Sequence, residues 1–306
     1  MMDKAYIEVV RLLLESAPAI FETPHFAMKG GTAINLFVED MPRLSVDIDV
    51  VYINHQATRD EALKSISGGL DATRKRLTKV GLESEVSVTK DGDEIKLFIR
   101  RGRNQVKVEV NHVFRGIVLP VETRRLGNEA RKLFTTELSV PVLAASELYG
   151  SKLVAAMDRQ HPRDLFDVRG LFERGGLTAE VVECFVCYLA GHNRPVHEVL
   201  FSRNQDMSAA FENEFVGMTR DPVTLAELEA ARRRLKKELP AALTANQRQF
   251  LLGLVAGEPN WQLMKCPHLS QLPAIRWKLQ NLAKLKKSNP HKFSQQADEL
   301  RSGLAG

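Results

Sequence analysis

Residues 30–49 read GGTAINLFVEDMPRLSVDID, and this stretch decides the fold. A glycine pair opens a predicted short helix over about residues 31–38, and a loop containing Pro42 follows it. From Val46 the chain first alternates and then stays apolar as far as Ile53, which is typical of a strand that enters a core. The order of turn, helix, loop and strand predicts that helices and a sheet share one domain.

Asp47 and Asp49 give this strand its main chemical signal. Residues i and i+2 of a strand point to the same face, so the two carboxylates repel each other unless a cation lies between them. Magnesium prefers oxygen ligands and often takes one or two carboxylates together with substrate phosphates. The pair therefore predicts a site for Mg²⁺ or Mn²⁺, although an Asp-x-Asp pair also occurs on ordinary surface strands.

A third carboxylate is predicted on a neighbouring strand. Residues 105–111 alternate strictly, with Val106, Val108 and Val110 on one face and Glu109 on the polar face. Glu109 would complete a two-metal clamp, which stabilises both the attacking and the leaving oxygen in phosphoryl transfer. The residue is a glutamate where an aspartate is more often expected, and its longer side chain reaches further.

The Gly30-Gly31 turn is a candidate phosphate site. Glycine lets backbone N–H groups come close to a phosphate, and the N-terminus of the following helix favours negative charge. Thr32 and Ser45 can add hydroxyl donors. A glycine pair is equally typical of a purely structural turn, so the pair alone leaves both interpretations open.

The remaining patterns predict a mixed sheet with helices, followed by a helical bundle. The predicted helices cover residues 3–16, 31–38, 59–80, 142–157, 163–172, 177–190, 224–240, 244–256 and 271–287, and the predicted strands cover residues 46–53, 86–89, 94–100 and 105–111. Residues 90–93 are the expected turn between two strands. Thr224 and Glu227 form a capping box, and Pro240 is expected to end that helix. We expect domains of residues 1–174 and 175–306, because the pattern is nearly all helical from about residue 175.

Composition excludes several classes of protein. A chain of 306 residues suits one large domain or two ordinary ones, and it has no apolar run of about 18 residues that would span a membrane. Acidic residues interrupt the first twenty positions, which lack the pattern of a signal peptide. Three cysteines in so long a chain argue against a disulfide framework. We therefore expect a cytoplasmic protein.

The cysteines could also be drawn as a zinc site. Cys184-x-x-Cys187 would combine with Cys266-x-His268, about 80 residues further along the chain. The first pair lies in an apolar predicted helix, and buried free cysteines are common. Ordinary core positions are therefore the favoured interpretation.

Positive charge is concentrated in the C-terminal part. Residues 220–306 contain 15 Lys+Arg against 7 Asp+Glu, whereas residues 1–219 contain 28 against 31. This distribution favours contact with a polyanion, although solvated helix faces would give the same charge. Trp261 and Trp277 could stack on unpaired bases or pack inside the bundle.

Four segments in fixed order carry a family resemblance. They are GGTA at 30–33, RLSVDID at 43–49, ELYGSKL at 147–153 and RDLFDV at 163–168. Together they resemble the AbiEii/AbiGii toxin family, whose members are nucleotidyltransferases of the DNA polymerase β type, over about residues 26–172. The resemblance implies an α+β fold, in which a polymerase β-like core with a mixed sheet flanked by helices precedes an α-helical C-terminal domain.

The resemblance implies roles for the residues of the first two segments. Asp47 and Asp49 would ligate the metal, with Glu109 as the uncertain third ligand and a helper in deprotonating the attacking hydroxyl. Ser45 would lie near the nucleotide phosphates. The backbone turn and hydroxyl at Gly30, Gly31 and Thr32 would contact the same phosphates.

The last two segments supply further implied roles. Lys152 would neutralise the triphosphate, a task that suits a compact ammonium group, and Asp164 would support that site. Asp167 would share this role, and Arg163 is a further phosphate ligand. Taken without the family, Lys152 would extend to solvent from a helix edge, and the two aspartates would pair with nearby arginines.

The implied reaction is transfer of a nucleoside monophosphate from an NTP to an acceptor hydroxyl, with release of pyrophosphate. Resemblance to the tRNA-modifying MenT members of the family, together with the basic C-terminal half, favours the 3′ end of tRNA as acceptor. The family also implies a toxin–antitoxin or abortive-infection role with an AbiEi-like antitoxin as partner. The alternatives are a small-molecule or protein acceptor, and an inactive binding or regulatory protein on the same fold.

Overall fold

The computed structural model describes residues 2–88, 94–111 and 114–305, and these residues form two compact units. The first, called the sheet unit, consists of Met1–Leu148 and Val216–Pro222. The second, called the helical unit, consists of Tyr149–Phe215 and Val223–Gly306. Residues 149–174 belong to the helical unit, although they precede the expected domain boundary at residue 175. The extent of the nucleotidyltransferase domain therefore stays a prediction.

A mixed sheet of seven strands lies at the centre of the described part of the sheet unit. The strands are β1 (Phe26–Lys29), β2 (Asp47–Tyr52), β3 (Glu83–Val88), β4 (Glu94–Arg101), β5 (Asn104–Asn111), β6 (Glu122–Arg125) and β7 (Ser139–Val142). Their order is β3-β4-β5-β2-β1-β7-β6. Strand β2 pairs in parallel with β5 and antiparallel with β1. Strands β3 and β4 form the predicted antiparallel pair, and the predicted turn at residues 90–93 lies outside the described residues.

Alternation along β2 and β5 separates an apolar face from a polar one. Val108 and Val110 are fully buried, and they are in register with the equally buried Ile48 and Val50 of β2. The helix α1 (Lys4–Phe21) packs on β5, and α3 (Arg59–Lys79) packs on α1 and β3. Burying each such side chain contributes about 1.5–3 kcal/mol. The core thereby fixes which face of β2 carries its two aspartates.

Two short helices complete the sheet unit, and the sequence patterns missed part of this region. The helix α2 (Gly30–Ala33) continues as a π-helical turn (Ile34–Val38), as the prediction for residues 31–38 requires. Strands β1, β6 and β7 and the helix α4 (Asn128–Phe134) were not predicted. The predicted start of a helix at Val142 was wrong, because Val142 pairs with Met28 of β1 and the next helix begins at Ala145.

Helices form the described part of the helical unit. They are α5 (Ala145–Asp158, whose first turn belongs to the sheet unit), α6 (Pro162–Glu173), α7 (Ala179–Ala190), α8 (Val196–Leu200), α9 (Ser208–Glu214), α10 (Leu225–Ala242), α11 (Ala245–Val255), α12 (Pro273–Ser288) and α13 (Pro290–Ala305). The capping box of Thr224 and Glu227 is confirmed at the start of α10. Pro240 does not end this helix, which continues to Ala242, because a proline this close to the C-terminus removes only one backbone donor. No described helix has both the length and the apolar character needed to cross a membrane.

The cysteines belong to the core of the helical unit. All three are buried and free, and the Cys266 Sγ lies 3.7 Å from the His268 Nε2. The neighbouring Cys266 thiol and burial raise the pKa of Cys187 well above its usual value. Within the described residues, no three His, Cys, Asp or Glu side chains are grouped to hold a metal ion. The cysteines therefore occupy buried core positions, as the favoured interpretation of the sequence predicts.

Candidate active site

Three carboxylates and two lysines share the polar face of three neighbouring strands. In the sheet register, Asp49 lies beside Glu109 and Asp47 lies beside Lys107. The Lys107 Nζ is 3.0 Å from the Glu109 Oε1 and 3.8 Å from the Asp47 Oδ1. Lys96 of β4 adds a second ammonium, 3.2 Å from the Glu109 Oε1. The predicted acidic residues are thus brought together, and the lysines partly neutralise them.

Glu109 contacts both lysines of this face. Burial alone would raise its pKa, but the hydrogen bonds and charges of Lys107 and Lys96 outweigh it and lower the pKa below its usual value. Glu109 is therefore ionised at neutral pH. Sequence analysis missed both lysines, although the period of two on β5 already places Lys107 on the face of Glu109.

Gly30 brings the backbone into contact with the Asp49 carboxylate. Lys29, the last residue of β1, is in register with Asp49, and Gly30 turns the chain with a φ of 75°. A Cβ atom at Gly30 would lie 1.9 Å from the Asp49 Oδ2. Both the positive φ and this close approach require glycine, so the turn predicted from the glycine pair also sets the position of a predicted metal ligand.

Gly31 packs against two side chains that precede β2. A Cβ there would lie 2.8 Å from the Arg43 Nη2 and 3.1 Å from the Ser45 Oγ. Ser45 is buried and Arg43 is only 1% exposed, with its Nη1 donating to the Leu44 carbonyl at 2.9 Å. The structure thus places a guanidinium directly behind the turn. Arg43 belongs to one of the four motif segments, but no local pattern in the sequence predicts that it is buried.

Thr32 connects the glycine turn to strand β2. Its side chain is fully buried, and its hydroxyl donates to the Asp47 carbonyl. The Asn35 Nδ2 donates to the Gly31 carbonyl at 2.9 Å. These bonds hold α2 against β2, while the predicted contact of Thr32 with a nucleotide stays a prediction.

A distant segment of the chain fixes the approach to β2. Residues 216–222 return to the sheet unit, where the Leu44 N–H donates to the Met218 carbonyl at 2.8 Å and Arg43 forms a β-bridge with Thr219. The Arg220 N–H donates to the Pro42 carbonyl at 3.0 Å. The loop before the paired aspartates is therefore pinned by backbone bonds that cross about 175 residues of sequence.

The donor set of this face suits a hard divalent cation. Asp47 and Asp49 supply carboxylate oxygens from one face of β2, and magnesium needs only one or two carboxylates when substrate phosphates supply other ligands. A preformed three-residue set is absent from the described residues, and the Glu109 carboxylate faces its two lysines. The aspartate pair therefore fits the predicted metal, and Glu109 as third ligand stays a prediction.

A second cluster of predicted residues lies inside the helical unit. The Lys152 Nζ is 2.7 Å from the Asp164 Oδ1 and 3.1 Å from the Asp167 Oδ2. The lysine side chain is only 6% exposed, so the solvent-facing position expected without the family is wrong. Arg159 donates to both oxygens of Asp164, at 2.5 and 3.0 Å. This arginine was missed, although it follows Lys152 by seven residues, about two helical turns.

The two cations control the ionisation of Asp164. Burial would raise its pKa, but the charges and hydrogen bonds of Lys152 and Arg159 hold that pKa well below its usual range. Asp164 therefore carries a full negative charge at all ordinary pH values. The cluster keeps a buried ammonium and two carboxylates in fixed positions.

Arg163 lies beside a different acidic residue. Its Nη2 is 3.7 Å from the Glu214 Oε2, which is also 3.1 Å from the His161 Nε2. His161 caps α6, because its Nδ1 accepts from the Arg163 N–H. Burial lowers the pKa of His161, so this imidazole is mostly neutral at pH 7. The predicted phosphate role of Arg163 stays a prediction.

Comparison with known proteins supports the predicted family and fold. The family model for the nucleotidyl transferase AbiEii toxin of type IV toxin–antitoxin systems matches residues 11–281. Among solved structures, the nucleotidyltransferase toxin MenT4 from Mycobacterium tuberculosis is similar in fold, with a TM-score of 0.61 and 20% identity over 81% of this chain and 89% of that chain. No curated protein matches the chain. The predicted α+β fold with C-terminal helices is confirmed.

Replacing Gly30 by alanine tests whether this turn holds Asp49. We expect Gly30→Ala to lower the free energy of unfolding by about 1–3 kcal/mol, because it forces strained backbone or displaces the carboxylate. Gly68 in α3 is the matched control, since a Cβ there meets nothing within 4 Å. Gly68→Ala should raise stability by about 0.5–1 kcal/mol. Urea unfolding measures both, and equal stability of Gly30→Ala and wild type would refute the close contact.

Replacing Asp164 by asparagine tests the buried charge cluster. Breaking a buried ion pair costs about 3–5 kcal/mol, so Asp164→Asn should be destabilised by about 3 kcal/mol at neutral pH. Folding lowers the pKa of Asp164, so the ionised carboxylate contributes its full share to the free energy of unfolding at pH values above its ordinary pKa. Below that ordinary pKa, this contribution shrinks as the pH falls. The deficit should therefore narrow from about pH 5 to pH 3.

Asp298, which is exposed and lies 2.8 Å from Arg301, provides the control for this measurement. Asp298→Asn should change stability by at most about 1 kcal/mol at any pH. A deficit of Asp164→Asn as small as that of the control would contradict the account of the cluster.

Proposed function

The chain belongs to the AbiEii family of nucleotidyltransferase toxins of type IV toxin–antitoxin systems, and on this premise we propose that it transfers an NMP from an NTP to the 3′ end of a tRNA. The observation that carries the proposal is the Asp47–Asp49 pair, held on one face of β2 with Asp49 against the Gly30 backbone. This arrangement supplies two carboxylate ligands beside a glycine turn at which we propose that phosphate binds.

Asp47 and Asp49 are proposed as the ligands of Mg²⁺ or Mn²⁺. When bound, such a cation would neutralise phosphate oxygens of the NTP and the charge that develops on them. The Gly30-Gly31 backbone and the Ser45 hydroxyl are proposed to contact the same phosphates, with the buried Arg43 guanidinium favouring negative charge at that place.

The bond changes follow from the proposed reaction. The acceptor hydroxyl oxygen forms a bond to the α-phosphorus, the bond from that phosphorus to the pyrophosphate oxygen breaks, and the hydroxyl proton passes to a carboxylate. Glu109 is proposed for this role because it is ionised at neutral pH. Its contacts with Lys107 and Lys96 make it a weak base, so positioning and charge compensation carry most of the rate enhancement.

Lys152 is proposed to contact the triphosphate. The Asp164 Oδ1 and the Asp167 Oδ2 lie 2.7 and 3.1 Å from its Nζ, which restricts the rotamers of the lysine. The two aspartates are therefore positioning residues that act through Lys152. Arg163, at the start of α6, is proposed as an additional phosphate ligand.

The charge of the C-terminal part supports an RNA acceptor. Residues 259–297 contain seven Lys+Arg and no acidic residue. On α12, Arg276, Trp277, Lys284 and Lys287 are exposed, and the Lys284 Nζ lies over the Trp277 ring at 5.5 Å from its centroid. Surfaces that bind single-stranded nucleic acid typically combine basic side chains, which contact the phosphate backbone, with aromatic side chains, which stack on the bases. Trp261, by contrast, packs against Phe250.

The family also suggests a protein partner. A type IV system includes an antitoxin, and an AbiEi-like protein is proposed for this role. NTPs and tRNA occur together in the cytoplasm, so the proposed reaction is cytoplasmic.

Labelled NTPs test the proposed reaction directly. Each of the four α-³²P-labelled NTPs is incubated with the protein, Mg²⁺ and total RNA, and label is expected in tRNA with one or more of them. Asp47→Asn and Asp49→Asn should each lower the rate by about 10²–10³-fold or more, as loss of a group that stabilises transition-state charge does. Asp71→Asn, an exposed change on α3, should keep full activity. Label found only in protein or small molecules, or no NTP consumption, would refute the tRNA assignment.

Tryptophan fluorescence tests the RNA surface independently of catalysis. The chain has two tryptophans, so Trp261→Phe leaves Trp277 as the reporter, and Trp277→Phe leaves Trp261. A single-stranded oligoribonucleotide should quench Trp277 emission, and added salt should reverse the quenching because phosphate contacts release counterions. Equal quenching in the two variants, or none in either, would contradict the role of Trp277.

A further inference from the structure

A cavity of about 640 Å³ lies within the helical unit, where α8 and the loop that follows it meet α13. Its volume falls within the range of about 300–1,000 Å³ that is usual for small-molecule sites. None of its described lining residues belongs to the predicted active site. The proposed reaction therefore leaves this cavity without a role.

Hydrogen bonds fix the loop that follows α8 on one side of the cavity. The buried Gln160 donates from its Nε2 to the Arg203 carbonyl at 2.6 Å, and its Oε1 accepts from the Gln205 N–H at 3.1 Å. The Lys236 Nζ donates to the Asn204 Oδ1 at 2.7 Å. The loop therefore holds Arg203 in a fixed place in the cavity lining.

Gln296 on α13 is the lining residue that points most directly to a ligand. The residue is only 8% exposed, yet its side-chain amide makes no hydrogen bond within the part of the chain that the structure describes. Buried amides are nearly always hydrogen-bonded, because removing them from water without a partner is unfavourable. An amide offers both donors and an acceptor, and the hydrogen-bonding edge of a nucleobase offers the complementary groups.

The cavity lining also carries two cations without an ionic partner among the described residues. Arg203 and Lys292 are exposed, and neither makes an ion pair there. Each of the two acidic side chains of the described lining, Glu198 and Glu299, already has a basic side chain within 3.1 Å. The remaining positive charge favours an anion, and two cations match a phosphate monoester, which carries about −1.5 to −2 charges at pH 7.

Phe201 adds an aromatic surface to the same lining. The residue is 36% exposed, and a Cβ at Gly303 of α13 would lie 2.3 Å from the Phe201 Cε2. The glycine thus lets the ring pack directly on the backbone of α13. Aromatic rings on which bases stack are a usual means of binding unpaired nucleotides.

We propose that this cavity binds a nucleotide, which is either a free mononucleotide or an unpaired nucleotide of an RNA. Phe201 stacks on the base, the Gln296 amide forms hydrogen bonds with its edge, and Arg203 and Lys292 contact the phosphate. The site does not depend on the proposed reaction at the aspartates of β2, because its residues belong to the helical unit.

Calorimetric titration with the four nucleoside 5′-monophosphates tests the site. The titrations contain EDTA, so that the proposed metal site takes no part. We expect at least one monophosphate to bind with a stoichiometry of one, and at least about tenfold more tightly than its nucleoside or inorganic phosphate, because both cations and the amide are then engaged. Absence of binding, or equal affinity for inorganic phosphate, would overturn the proposal.

Variants of the lining locate the bound nucleotide. Gln296→Leu should lower its affinity about tenfold without lowering the melting temperature, since the amide has no partner among the described residues. Arg203→Gln and Lys292→Gln should weaken monophosphate binding several-fold and leave nucleoside binding unchanged. Arg301→Gln, an exposed change on α13 outside the lining, is the matched control and should bind like wild type. Equal affinity of Gln296→Leu and wild type would contradict the proposal.

A single-stranded oligoribonucleotide separates the two sources of the nucleotide. If RNA supplies it, Gln296→Leu weakens binding of the oligoribonucleotide as well as of the monophosphate. If a free mononucleotide is the ligand, the variant weakens binding of the monophosphate alone. Asp47→Asn should leave both affinities unchanged in EDTA, and a loss of monophosphate binding in this variant would place the nucleotide at the proposed active site instead.

Discussion

The contact between the Gly30 backbone and the Asp49 carboxylate is the constraint on which the rest of the candidate site depends. A side chain at position 30 would need the space that this carboxylate occupies. The contact fixes the turn between β1 and α2, and the register of β1 with β2 places Lys29 opposite Asp49. Since β2 also pairs with β5, the same register sets Glu109 beside Asp49. One steric requirement thus orders the turn, the two aspartates of β2 and Glu109.

Charge compensation differs between the two groups of predicted site residues. On the sheet face, Lys107 and Lys96 contact Glu109 from side chains that are about one-third exposed, so substrate or cation can exchange with them at modest cost. In the helical unit, Lys152 is enclosed by Asp164 and Asp167, where breaking a pair is expensive. The first arrangement suits groups that change partners during a reaction, and the second suits groups that keep their positions.

Local patterns predicted those parts of the fold that depend on neighbouring residues. Alternation located β2 and β5 and the face of Glu109, and the capping box located the start of α10. Strands β1, β6 and β7 were not predicted, because a strand of four residues carries too little periodicity. The burial of Arg43 and Lys152, the bridge from Arg43 to Thr219 and the arginine at 159 depend on packing between distant segments. The proposed role of Lys152 came from the family resemblance, whereas its helical neighbours alone suggested exposure to solvent.

The central claim is that Asp47 and Asp49 hold a divalent cation on the triphosphate of an NTP. It is tested most directly by a crystal structure of the chain with Mn²⁺ and a non-hydrolysable NTP analogue, in which anomalous scattering locates the metal. The account predicts a manganese peak at about 2.0–2.3 Å from a carboxylate oxygen of each aspartate, in contact with the phosphates. Phosphates bound at the Gly30-Gly31 turn with neither aspartate touching a cation, or an analogue bound elsewhere, would contradict it.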